Sequence, residues 1–310
     1  MEFLTFLVFL GCMYSILTSS FGLLMGLGRQ FSMAHAGMWG LGAYASAYVT
    51  LKLEWPLWWG VPVALLAGAL AGALVAIPAL RVGVGVYLAI VTFAFQMVFV
   101  NMLRNLTELT GGSHGMAGMP AFPAVGTLST TQTVTLYTAI AAAAALLLTH
   151  LWRHGSYGRV LLALGRDEKV LEGLGRDVRW LKIQLFAITG ALGSLAGVFY
   201  AQYLSFISPD SFTVHESILV MTMLLIGGAF TTLGPVVGAW FFVLVPELLT
   251  RLGLPDSVAA ALQQILFGLL LVVFMIFRPQ GIVAPRRRRQ RRPPGNVDAH
   301  SGTATVGAAR

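Results

Sequence analysis

The residues best equipped for chemistry are concentrated in one stretch, Arg153 to Lys182 (RHGSYGRVLLALGRDEKVLEGLGRDVRWLK). It carries seven of the chain's twenty Lys/Arg and four of its twelve Asp/Glu. The chemistry on offer is recognition rather than bond making. Asp167 is a good helix N-cap and Gly175 a good stop, which predicts about two helical turns over Glu168 to Leu174. A free helix this short is marginal in water. Its apolar residues Val170, Leu171 and Leu174 are expected on one face, so the helix needs something to dock against. Two occupants fit: the chain's own apolar body, or a groove on a partner.

Elsewhere, reactive groups are few and badly spaced. Cys12 is the one cysteine, so neither a disulfide framework nor a CxxC metal site is available. The six histidines show no ligand spacing. There is no HExxH, no plausible Ser/His pairing and no GxxxxGK[ST], which excludes ATP hydrolysis by the P-loop route on this chain. No catalytic residue, metal or cofactor is expected. Ion-coupled transport usually needs an ionisable group deep in a membrane span. None is expected here: Glu247 falls near a span end, and Glu216, Arg29 and Arg81 fall at junctions. The span interiors offer neutral polar groups instead (Gln96, Asn101, Ser194, Gln202 and Thr222). Each either lines a path or bridges helices, and bridging is the favoured reading.

The elements that must position these residues are membrane helices. Of 310 residues, 57% are hydrophobic and 10% charged, with a mean hydropathy of +0.78. A soluble domain carries about 25% charged residues. The fold class read from this is all-α, a polytopic integral membrane protein. Apolar runs predict spans at 3–28, 34–51, 57–80, 82–103, 132–149, 183–208 and 258–277. The run 217–250 is too long for one helix and predicts two spans joined at Gly227 to Pro235, nine in all. The fallback is eight spans with that segment re-entrant. The first run lacks a basic leader region and reads as a span, not a cleaved signal.

Nine spans place 17 of the 20 basic residues on one side, the pattern of the positive-inside rule. The N-terminus is then outside and the C-terminus cytoplasmic. The net charge of +8 gathers in the 153–182 loop and in the tail beyond Arg278, which argues against nucleic acid and for headgroup contact at the lipid bilayer. A permease-like body over 1–282, with a cytoplasmic loop at 150–182, and a basic, disordered tail over 283–310 are the expected divisions.

Seven stretches, in order, resemble the branched-chain amino-acid ABC transporter permeases of the LivM-like type. They are Gly28 to Ala36 (GRQFSMAHA), Gly40 to Tyr44 (GLGAY), Tyr87 to Thr92 (YLAIVT), and Thr110 to Gly112 with Gly115 to Pro120. Ser205 to Phe212 (SFISPDSF), Gly234 to Ala239 (GPVVGA) and Phe277 to Gly281 (FRPQG) complete the series. The resemblance covers Gly22 to Ile282. It implies an importer subunit in a bacterial cytoplasmic (inner) membrane. It also implies a second homologous permease, two cytoplasmic ABC ATPase subunits and an extracytoplasmic solute-binding protein as partners.

In that scheme Arg166, Asp167, Glu168, Leu171, Glu172, Leu174 and Gly175 fall in the ATPase-coupling loop, which favours the partner groove. The loops Gly111 to Pro120 and Pro209 to Glu216 would face the binding protein. Three departures bear on the solute rather than the class: Gly173 in place of Ala, Met33 before Ala34–His35, and Phe230 where the family has Gly. Gly173 weakens the short helix by about 1 kcal/mol relative to Ala. A urea or amide permease of the same fold, and a stand-alone channel for a small neutral solute, are the alternatives.

Overall fold

The computed structural model describes residues 2–82, 86–124, 126, 129–250, 256–277 and 281–283. The basic tail from residue 284 onward lies outside these. The described chain is almost entirely helical: α1 Glu2–Gly26, α2 His35–Leu51, α3 Gly60–Val82, α4 Val86–Asn105, α5 Thr107–Thr110 and α6 Thr130–His154. There follow α7 Ser156–Leu164, α8 Glu168–Gly173, α9 Val178–Leu204, α10 Val214–Gly227, α11 Gly234–Thr250 and α12 Asp256–Phe277.

Each of the eight apolar runs is helical, the 217–250 run as two helices. Five of them (α1, α3, α4, α6 and α9) are long and apolar enough to cross a bilayer, among the described residues. The 217–250 run breaks where its glycines predict, between α10 and α11. At 14 and 17 residues these two helices are short. At about 1.5 Å per residue neither reaches the roughly 30 Å of a hydrocarbon core.

Helices α1 and α9 form the centre, flanked by α2, α3, α6 and α11. Small residues set the spacing between α3 and α9. A Cβ at Gly68 would meet the Gly190 carbonyl oxygen at 2.5 Å, and one at Gly72 would collide with the Phe186 carbonyl. This close approach is the lipid-phase packing that small residues permit. Gly68→Val should therefore force the pair apart and cost about 1–3 kcal/mol or more. A clear drop in the thermal midpoint of the detergent-solubilised protein is the expected reading, and an unchanged midpoint would show the contact is dispensable.

Neutral polar side chains pin the body together. The buried Gln96 of α4 accepts from the Gly37 amide at 2.6 Å and donates to the Phe212 carbonyl at 2.5 Å. Thr92 of α4 accepts from the Met33 amide, and Ser217 of α10 from the Ala36 amide, each at 2.9 Å. The start of α2 is thus buried, with amides that side chains of α4 and α10 satisfy. His35 beside it lies 2.6 Å from the Ser20 hydroxyl. Ser194 of α9 donates to the Met38 carbonyl at 2.9 Å. The bridging reading therefore holds for Gln96 and Ser194. Asn101 and Thr222 bond within their own helices, and Gln202 is buried with neither amide atom bonded among the described residues.

The two ends of the body differ. At one end the 111–120 and 205–212 segments meet in a short antiparallel pair, β1 Met116–Ala117 with β2 Phe206–Ile207. Arg104 and Asp210 form an ion pair there at 2.6 Å, and the exposed Trp55, Trp58 and Trp59 crowd the same end. At the other end the C-terminal ends of α1, α6, α10 and α12 gather. Arg153 donates to the carbonyls of Gly22 and Ala229, and the Ile282 and Val283 amides bond to Ile226 and Gly227.

Candidate functional site: the polar elbow between α6 and α9

The 150–182 stretch is not a loop around one short helix, as its composition predicts. It is a helical elbow: α6 runs on to His154, α7 fills Ser156–Leu164, α8 follows, and α9 begins at Val178. Gly155, in extended conformation, ends α6 and starts α7. Gly158 lies directly against the Trp152 and Arg153 carbonyls, where a Cβ would collide. The sharp α6–α7 corner needs that glycine. α7 buries Leu161 and Leu164 and exposes Leu162.

Both ends of α8 are built as the sequence predicts. Asp167 Oδ1 accepts from the Lys169 amide at 3.0 Å and the Val170 amide at 3.4 Å. At the other end Gly175 is left-handed (φ 75°), its amide bonds to Glu172 O, and the Arg176 amide bonds to Leu171 O. That pair of bonds is a Schellman cap. Asp177 then caps α9 by accepting from the Arg179 and Trp180 amides at 2.9 and 3.2 Å. Two capped turns in eleven residues leave little freedom in the elbow.

The apolar residues of α8 do not share one face. Leu171 is 3% exposed and packs into the core, whereas Val170 is 56% and Leu174 73% exposed. Val170 and Leu174, four residues apart, stack on the outer side, while Leu171 turns about 100° away from Val170 towards α7 and α9. The helix therefore docks on its own membrane body through Leu171 and still offers an apolar pair outward.

Glu168 and Lys182 fix that docking. The Lys182 ammonium lies 2.7 and 2.8 Å from the two carboxylate oxygens of Glu168, with the lysine side chain 3% and the glutamate 27% exposed. Sequence reading missed Lys182. Its one signal was a cation at the start of an otherwise apolar run. Arg166, Asp167, Glu172 and Gly175 are exposed around Val170 and Leu174. The result is a small apolar centre with a charged rim, the anatomy of a protein interface.

Beside it, a groove of about 530 Å³ opens between α7 and the start of α9, lined by Tyr157, Val160, Asp177 and the exposed Trp180. Burial raises the Tyr157 phenol above its usual pKa, so it stays neutral there. Among the described residues no group of His, Cys, Asp and Glu side chains is arranged to hold a metal ion.

Comparison with known proteins bears on this arrangement. The family described as "Branched-chain amino acid transport system / permease component" matches residues 3–275. The chain is 28% identical over 298 residues to the high-affinity branched-chain amino acid transport system permease protein LivM of Escherichia coli K12, covering 88% of this chain and 68% of that protein. It is 32% identical over 136 residues to a probable branched-chain amino acid transport permease LivM of Methanocaldococcus jannaschii, covering 41% and 39%. It is also 27% identical over 138 residues to the autoinducer 2 import permease LsrC of Salmonella typhi, covering 43% and 39%. No solved structure matches the chain. With the match running through nearly every helix described above, the chain belongs to the family of branched-chain amino acid transport system permease components.

Proposed function

We propose that this chain is the membrane permease subunit of an ATP-driven importer for branched-chain, apolar amino acids. It forms the translocation path with a second homologous permease. Two cytoplasmic ATPase subunits dock on the 150–182 elbow, and an extracytoplasmic binding protein delivers solute at the opposite end. The observation that carries this reading is the elbow itself. It is capped at each turn and anchored inward by Leu171 and Glu168–Lys182, yet it offers Val170 and Leu174 to solvent. An element so braced transmits a push rather than absorbing it.

Arg166, Glu172 and Lys169 supply the charged rim of the ATPase contact, and Asp167 and Gly175 set its shape. ATP-driven closure of the ATPases would move α8, and with it α7 and α9. Arg153 carries the same movement to α1 and the α10–α11 joint through its two carbonyl bonds. The protein sits in a bacterial inner membrane with the elbow cytoplasmic and the N-terminus outside. The 1–282 body is the permease, and the basic 283–310 stretch holds the orientation.

Purification of the tagged chain in mild detergent should recover a second permease and ATPase subunits, identified by mass spectrometry. Recovery of the chain alone, under conditions that preserve a control ABC complex, would instead favour a stand-alone channel.

A further inference from the structure

The groove between α7 and the start of α9 lies at a definite depth. Helices α6 and α9 are both long and apolar enough to cross a bilayer; α6 ends at His154 and α9 begins at Val178. On one wall of the groove, Ser156 and Tyr157 follow directly after the end of α6. On the other, Arg176, Asp177 and Trp180 flank the start of α9. Both walls therefore stand where spanning helices leave the hydrocarbon, at the level of the lipid headgroups. Tyr and Trp rings are the side chains that favour that level. At about 530 Å³ the groove falls within the range of small-ligand sites, roughly 300–1,000 Å³.

Its charged groups come in both signs. Arg176 lines the groove directly, and Arg159 reaches it by donating to the hydroxyl of the lining Ser156 at 2.9 Å. Neither guanidinium forms an ion pair among the described residues. Asp177 lines the same groove, and its Oδ1 accepts from the Arg179 and Trp180 amides. Its carboxylate has no cationic partner among the described residues. Guanidiniums suit a phosphate, which accepts paired hydrogen bonds from them. A carboxylate beside an exposed indole suits an ammonium. Leu181 and Gln184, also lining, lie successively further along α9 towards the hydrocarbon.

We propose that this groove is a binding site for the headgroup of a zwitterionic phospholipid with a primary ammonium, phosphatidylethanolamine. The phosphate sits at Arg159 and Arg176, and the ammonium at Asp177 and Trp180. The glycerol and acyl chains leave past Leu181 along α9. Phosphatidylglycerol satisfies the two arginines but brings no positive charge to Asp177. Phosphatidylcholine brings the charge but no N–H to donate. The site depends on the chain spanning a membrane and is independent of the importer reading.

The test uses the full-length chain, delipidated in detergent and titrated with phosphatidylethanolamine, phosphatidylcholine or phosphatidylglycerol of identical acyl chains. Native mass spectrometry counts the lipid retained. One phosphatidylethanolamine per chain should be held at about tenfold lower concentration than either other lipid, the scale of one charge-assisted hydrogen bond. Arg176→Gln should raise the half-saturating concentration of phosphatidylethanolamine by about tenfold. Asp177→Asn keeps a good helix cap and should abolish the preference over phosphatidylcholine. The size-exclusion profile checks the fold of each variant, and the comparison of lipids on the unaltered chain decides even where a variant unfolds.

Equal retention of the three lipids would mean ordinary annular lipid, leave the groove to a protein partner and overturn the site. A preference for phosphatidylglycerol would overturn it too, as would retention unchanged in both folded variants. Displacement of the lipid by equimolar inorganic phosphate would reveal a free-anion site and sink the lipid assignment.

Discussion

Leu174→Asp is expected to abolish ATP-driven uptake while the membrane body stays folded, whereas Leu171→Asp is expected to prevent the body from folding. The two leucines are three residues apart on one short helix, but one is 73% and the other 3% exposed. A carboxylate at 174 meets water in the isolated chain and costs the fold little. In the proposed complex it would stand in the apolar centre of the ATPase contact. The ATPase should then hydrolyse ATP without moving solute, or fail to co-purify. A carboxylate at 171 would be buried against α7 and α9, and the nearby buried cation, Lys182, is already bound to Glu168. Size-exclusion profile and vesicle uptake read the two effects separately. Normal uptake by Leu174→Asp would mean that α8 is only a brace.

The second large effect is expected at Glu168. Glu168→Gln leaves the Lys182 ammonium in a buried position without its carboxylate. Removing one partner of a buried pair costs about 3–5 kcal/mol, and the lower end applies here because Glu168 is 27% exposed. Adding Lys182→Met should restore most of the loss, since a methionine fills the same path without a charge to solvate. The thermal midpoint of the solubilised protein measures both steps. If Glu168→Gln alone leaves the midpoint unchanged, the ammonium reaches water by another route and the pair is not what holds α8 down.

Much of the molecule could be read from its residues. Each apolar run became a helix because lipid leaves the backbone no other way to satisfy its own groups. Asp167 and Gly175 were legible as caps because capping depends on two or three adjacent residues. What failed depended on neighbours remote in sequence. Val170, Leu171 and Leu174 look alike in a seven-residue window, and only the position of α9 decides that Leu171 turns inward. α7 went unread because Gly155, Gly158 and Arg159 made its start look like loop. The same habit of treating charge as the end of a span hid the bonds that Arg153 and Lys182 make within the body. Among the neutral polar residues, Gln96 proved a bridge while Gln202 did not, and nothing local distinguishes them.

The buried start of α2 has a consequence for how the protein is made. The Met33 and Gly37 amides find their acceptors on Thr92 and Gln96, and the Ala36 amide finds its acceptor on Ser217, about 180 residues later in synthesis. Until α10 leaves the ribosome, α2 carries a backbone donor that lipid cannot satisfy. Its final seating is therefore late, however early the segment emerges. Biogenesis must keep α2 shielded, by the insertion machinery or at the interface, while the 181 residues from Ala36 to Ser217 are made.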